Sequence, residues 1–158
     1  MKKSLIFTMC FAVSLFLAAG ARAQSGAKQS PQVAPDSDLE KDSRHNLEVA
    51  RHYFRTRKAY VAALQRCEEI IASNPAFSKI DEVLFMAGQS SLNLSQGKGR
   101  QKPNLYKPSG ANPTPEEFRD MARDYFSQLV NSHSDSSFRA QAEDELKSLG
   151  GAKPKPLP

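Results

Sequence analysis

Across residues 37–149 the apolar positions recur every three or four residues, the spacing of one helix face, and nowhere alternate over the length of a strand. The pattern predicts five helices and an all-α fold. The first runs from Asp38 to Arg57 on a stripe of Leu47, Ala50 and Phe54, with Ser37 and Glu40 spaced as a capping box. The second runs from Tyr60 to Ser73, with Ala63, Cys67 and Ile70 on one face, Leu64 and Ile71 widening it, and Asn74-Pro75 as the stop. The third runs from Lys79 to Leu94, with Ser78 as its cap and Leu84, Ala87, Ser91 and Leu94 inward. The fourth is opened by Thr114, Pro115 and Glu117, a capping box with proline in the first turn, and continues to Asn131 on Phe118, Ala122, Phe126 and Leu129. The fifth spans Ser137 to Leu149, with Phe138, Ala142 and Leu146 or Leu149 toward the core.

The helical rhythm breaks over residues 95–114. Gly97, Gly99, Gly110, Pro103, Pro108 and Pro113 make this a long irregular loop. It carries Lys98, Arg100, Lys102 and Lys107 and no acid, with Leu105 and Tyr106 among them. Two readings stand: a solvated insertion kept soluble by its charge, or a contact for an acidic partner or anionic lipid, anchored by Leu105 and Tyr106. Residues 24–36, rich in Gln, Ser, Pro, Gly and Ala, form a flexible lead-in. Residues 150–158 are a glycine stop followed by an extended proline-lysine tail, a soluble end.

The second and fourth helices repeat one another: Ala63, Cys67 and Ile70 fall at the same offsets as Ala122, Phe126 and Leu129. A small residue admits close helix approach and the larger ones fill the gap, so two such pairs side by side would bury one continuous core. Here the chain resembles tetratricopeptide repeats. One unit takes Leu47, Ala50, Phe54, Tyr60, Ala63, Cys67, Ile70 and Pro75. A second begins with Leu84, Ala87, Gly88 and Ser91 and resumes at Ala122, Phe126, Leu129 and Ser134, with the basic loop inserted between its helices. The fifth helix is half of a third unit or a cap, giving about two and a half repeats.

Tyr53-Phe54, the run Lys58–Cys67, the run Ala122–Val130 and His133–Ser136 are similar to the outer-membrane β-barrel assembly lipoprotein family and its periplasmic relatives, over residues 46–149. Glycine is absent at Arg51 and Lys58, Cys67 stands where an aromatic is usual, and Ser134 where proline is. The resemblance implies a concave surface lined by the first helix of each pair. It would place Arg51, Arg55, Gln89 and Asn93 against a protein or peptide partner in the cell envelope.

The N-terminus points to export. Met1-Lys2-Lys3 is a basic head, Ser4 to Ala19 is apolar and uncharged, and Gly20-Ala21-Arg22-Ala23 supplies the small residues of a cleavage site before Gln24. The apolar run is short for a membrane span. Cys10 lies too near the start to be a lipidation site and belongs to the apolar run. The expected location is the periplasm, with any outer-membrane association made through a partner. Cleavage removes Lys2, Lys3 and Arg22 and no acid, so the formal charge falls from +5 to +2. That decrease weakens a nucleic-acid reading. Cys67 would then be the sole cysteine, so no intramolecular disulfide supports the fold, and its helical position makes it a small buried hydrophobe.

Catalytic chemistry finds little footing. His45, Glu48 and His52 share a helix face, but Arg44, Arg51 and Arg55 crowd it and no fourth metal ligand follows, so this is an ordinary solvated face. His133, beside a turn, is a packing or surface residue. The serines lack a strand-to-helix elbow, and a core Cys67 would have a raised thiol pKa. Glu68-Glu69 and Glu116-Glu117 are adjacent and do not converge. Gly97-Lys98-Gly99-Arg100 lacks the hydroxyl, spacing and strand of a phosphate loop. The expectation is a non-enzymatic protein without cofactor or metal that holds a protein or peptide. Its alternatives are a structural subunit of an envelope complex and a basic surface for anionic lipid or nucleic acid.

Overall fold

The structure, a computed structural model, describes residues 37–108 and 110–155. The expected export segment 1–23, the lead-in 24–36 and residues 156–158 of the tail lie outside the described residues. Five α-helices follow in order: α1 (Ser37–Arg51), α2 (Tyr60–Ser73), α3 (Ile80–Ser95), α4 (Pro115–Ser132) and α5 (Arg139–Ser148). No strand occurs among the described residues. Successive helices pack as hairpins, α1 on α2, α2 on α3, α3 on α4 and α4 on α5, in a helical-repeat-like arrangement.

The repeated stripes are the core. Ala63, Cys67 and Ile70 on α2 and Ala122, Phe126 and Leu129 on α4 are all fully buried. One cluster joins Leu47, Ala50, Leu64, Phe77 and Val83 across α1, α2 and α3. A second joins Leu84, Leu92, Ala142 and Leu146 to the α4 stripe, and Ile71, Ile80 and Tyr125 pack against both. The middle helix α3 is therefore enclosed on more sides than its expected stripe. Val83, Met86, Gly88, Ser90 and Leu92 are buried along with Leu84, Ala87, Ser91 and Leu94.

The helix ends correct several expectations. Thr114 and Glu117 form the expected capping box, each side chain bonding the other's backbone N–H. Ser37 and Glu40 do not. Ser37 is already helical, and the Glu40 carboxylate instead accepts the Ser78 hydroxyl and the Ser78 N–H. Ser78 is thereby spent on α1 and does not cap α3, whose N-cap is Lys79 with no side-chain bond. The first helix also fails to reach Arg57 as a regular α-helix: His52–Arg57 widen into a π-helical turn. That turn ends at Lys58 in the left-handed region, φ 52°, a conformation costing a non-glycine residue roughly 1–2 kcal/mol.

The tail likewise differs from a free end. Arg123 donates to the carbonyls of Gly150 and Gly151, Asn131 donates to that of Lys153, and the Lys153 N–H donates to the Ser127 hydroxyl. Lys153 also pairs with Asp124 at 2.5 Å. Residues 150–153 thus lie along α4.

Helices α3 and α4 approach each other closely. A Cβ built on Gly88 would stand 2.6 Å from the ring of Phe126, itself fully buried. Gly88→Ala is expected to destabilise the fold by about 1–3 kcal/mol through overpacking, more than the helical preference for alanine returns. Urea denaturation followed by circular dichroism measures it, and an unchanged midpoint would contradict this seam.

Candidate functional site

A shallow cleft of about 70 Å³ lies between the turn after α1, helix α3 and the start of α5. Phe54, Arg55, Glu82, Phe85, Met86, Gln89 and Phe138 line it. Its floor is aromatic. Phe85 stacks on Phe138 with centroids 5.1 Å apart and meets Phe126 at 5.8 Å, so the cleft wall is continuous with the α3–α4 seam.

Of the four side chains expected to contact a partner, Arg55 and Gln89 line this cleft and Arg51 and Asn93 do not, and all but Arg55 are occupied by the scaffold. Arg51 forks onto Glu82 of α3, with Nε donating at 2.7 Å and a second nitrogen also bonded, and a third reaches Glu48. This pair is only 21% and 13% exposed, so it bridges the first two hairpins in a poorly solvated setting. Gln89 donates to Glu145 of α5 at 2.8 Å, and Asn93 donates to the Gln89 carbonyl. Arg55 alone is exposed and without an ion pair among the described residues. Phe138 belongs to the expected apolar stripe of the fifth helix, whereas Glu82, Phe85 and Met86 lie off the Leu84, Ala87 and Ser91 stripe of the third and were not singled out. Phe85, next to Leu84 but outside the three-four spacing, was the available signal.

The inserted loop is anchored to the helices. Tyr106 is 3% exposed, which removes it as an accessible anchor for a partner. Its ring packs on Phe118 at 5.6 Å and its hydroxyl donates to Glu68 of α2 at 2.5 Å. Tyr125 of α4 donates to the same carboxylate oxygen at 2.9 Å. Burial pushes the Glu68 carboxyl above the usual carboxylate range, against the two tyrosine hydrogen bonds that favour its charge. Both tyrosine hydroxyls are pushed up in turn, by burial first and then by Glu68. The next residue back is the reverse case: Leu105, on a 3₁₀ turn over Pro103–Leu105, is 59% exposed.

Upstream, the loop meets the turn between α1 and α2. The Arg100 N–H donates to the Lys58 carbonyl at 2.9 Å. Gly99, at φ 98°, lies where a Cβ would be 2.6 Å from that carbonyl and from the Tyr60 ring. Gln101 Oε1 accepts the Ala62 N–H at 3.0 Å, serving the α2 N-terminus whose N-cap, Ala59, has no acceptor of its own. The junction gathers Lys98, Arg100 and Lys102 beside Arg57 and Lys58, all exposed; Lys107, also exposed, lies beyond Tyr106.

Cys67 is buried and unpaired with its thiol pKa pushed up, chiefly by burial and further by Glu68 and Glu82. His45 and His52 are exposed, and Glu48 is taken by Arg51. Among the described residues no group of three histidine, cysteine or acidic side chains is placed to hold a metal, and no helix is long and apolar enough to cross a membrane. None of the protein-family models, curated proteins or solved structures compared with the chain matches it.

Because the Glu68 carboxyl is raised on folding, its contribution to stability is full below the ordinary carboxylate pKa and is lost as pH rises through the raised value. Glu68→Gln removes that titration. The stability of the native chain relative to this variant is expected to fall as pH increases across that window, measured by urea denaturation at a series of pH values. A difference that stays constant with pH would refute the assignment.

Proposed function

We propose that this chain is a tetratricopeptide-like, non-enzymatic adaptor of the cell envelope that holds an extended segment of a protein partner in its concave cleft. The observation carrying the reading is the cleft itself. Hairpins stacked on one shared core present Phe54, Phe85 and Phe138 on a common inner surface, with one unpaired guanidinium, Arg55, at its edge. An extended segment with an apolar side chain and a neighbouring carboxylate suits that lining, since aromatic pockets and Arg provide much of the energy at interfaces. The paired helices, the twice-used Ala63-Cys67-Ile70 offsets and the resemblance over residues 46–149 support the tetratricopeptide assignment. The basic head, apolar run and Ala23–Gln24 site support export to the periplasm.

Export is tested by N-terminal sequencing of the accumulated protein after fractionation, with Gln24 as the expected first residue. A cytoplasmic chain that retains Met1 would overturn the envelope part of the proposal. Adaptor function is tested with a photo-crosslinking residue at Arg55 in intact cells, and with the same residue at Gln65, exposed on α2, as reference. A protein adduct is expected from position 55 and none from 65. Arg55→Glu should weaken binding of the captured segment about tenfold, through reversal of a charge at the cleft edge. Adducts of equal yield from both positions would overturn the cleft as the binding surface.

A further inference from the structure

We propose that the end of the hairpins opposite the α2–α3 and α4–α5 turns docks on an anionic lipid bilayer, a surface separate from the concave cleft and independent of what the cleft binds. Five exposed cations meet there: Arg57 and Lys58 from the turn between α1 and α2, and Lys98, Arg100 and Lys102 from the inserted loop, the two segments joined by the Arg100–Lys58 backbone bond. None takes part in an ion pair among the described residues. The chain carries no Asp or Glu over residues 49–67 or 83–115, the stretches that contain both segments. The exposed Glu116 and Glu117 that open α4 at this end are fewer than the five cations, so the charges sum to a positive surface that a potential of opposite sign attracts.

The cations are held in register. The Arg100–Lys58 backbone bond, the Gly99 contact with that carbonyl and the Gln101 cap on α2 fix the loop to the turn. Lys58 occupies its left-handed position at φ 52°, where glycine would carry no steric penalty, so the fold tolerates local strain and keeps a charge at the junction.

The apolar component selects the bilayer over other polyanions. Leu105 is the most exposed large hydrophobe among the described residues and sits on the rigid turn that follows Lys102. Burial of Tyr106 against Phe118 and Glu68 leaves Leu105 pointing away from the body. An exposed leucine lying between Lys102 and Lys107 along the chain matches an interface whose headgroups are anionic and whose acyl boundary takes up a side chain a few ångströms deep. A nucleic acid would use the charge and leave Leu105 in water. It would also find no exposed aromatic in the loop to stack on, since Tyr106 is buried.

The test is vesicle co-sedimentation of the full chain, secreted by a host and purified from the compartment where it accumulates. Vesicles of phosphatidylcholine with phosphatidylglycerol are compared with phosphatidylcholine alone. Binding is expected to the anionic vesicles only and to decline with added salt. Each of Lys98→Gln, Arg100→Gln and Lys102→Gln should weaken it about fivefold. Leu105→Ser, with unchanged charge, should weaken it about tenfold. All four positions are solvent-exposed, and circular dichroism melts should match the native chain. Equal binding to both vesicle types would overturn the proposal, as would indifference to Leu105→Ser. So would tighter binding to a single-stranded oligonucleotide than to the anionic vesicles, which would make the patch a nucleic-acid surface.

Discussion

The seam where Gly88 of α3 lies flat against the ring of Phe126 on α4 governs the rest of the molecule. Helices approach this closely only where one of them offers almost no side chain, and α3 does so in a run of small residues, Ala87, Gly88, Ser90 and Ser91, all buried. The seam has a second consequence on its far side. Phe126 also meets Phe85, and Phe85 stacks on Phe138, so the ring that fills the seam sets the position of the two rings that floor the concave cleft. A displacement at Gly88 would pass through three aromatic rings to the cleft without any of the cleft's own residues changing.

The hydrophobic skeleton was legible from spacing alone, because burial in a stacked helical pair selects one face and that face repeats every three to four residues. Ala122, Phe126 and Leu129 needed nothing beyond their offsets. What spacing could not express is which polar side chains would find partners far along the chain. Arg51 looks on the sequence like a surface arginine, and only the packing of both α1 and α3 on α2 brings it within reach of Glu82, 31 positions away. Tyr106 is the sharper case. It lies in a loop with no period at all, yet it is buried, because Glu68 and Phe118 offer it a polar and an apolar partner at once. Conversely, the capping spacing of Ser37 and Glu40 was a true local signal overridden by a longer-range one, since Glu40 gains two bonds from Ser78.

The polar ties also divide the molecule lengthwise. At the end holding the α2–α3 and α4–α5 turns, acids and hydroxyls are joined in pairs: Glu40 with Ser78, and Asp81 with Ser136, while Asn74 reaches Ser43. The opposite end carries Arg57, Lys58, Lys98, Arg100 and Lys102 outside any ion pair among the described residues, against Glu116 and Glu117 at the start of α4. The net charge is therefore unevenly placed along the molecule. Orientation in an external field depends on that separation of charge more than on the total. A protein with this distribution would approach a negatively charged surface with its basic end leading.

Ordering an inserted loop costs roughly 1–2 kcal/mol of backbone entropy per residue, so an insertion of this size is held only where it makes bonds. The bonds that hold it fall at Gly99–Gln101, against Lys58, Tyr60 and Ala62, and at Tyr106, against Glu68 and Phe118. They bracket the part of the loop that bears Arg100, Lys102 and Leu105. They also serve helix α2, which lacks a capping side chain at Ala59 and carries a half-buried carboxylate at Glu68. The loop thus supplies α2 with the acceptor and hydroxyl it lacks, and α2 in return fixes the stretch of loop whose charge and exposed leucine face outward. Placed between α3 and α4, the insertion does this from the end of a hairpin, where it leaves the Gly88–Phe126 seam and the stacking of the pairs undisturbed.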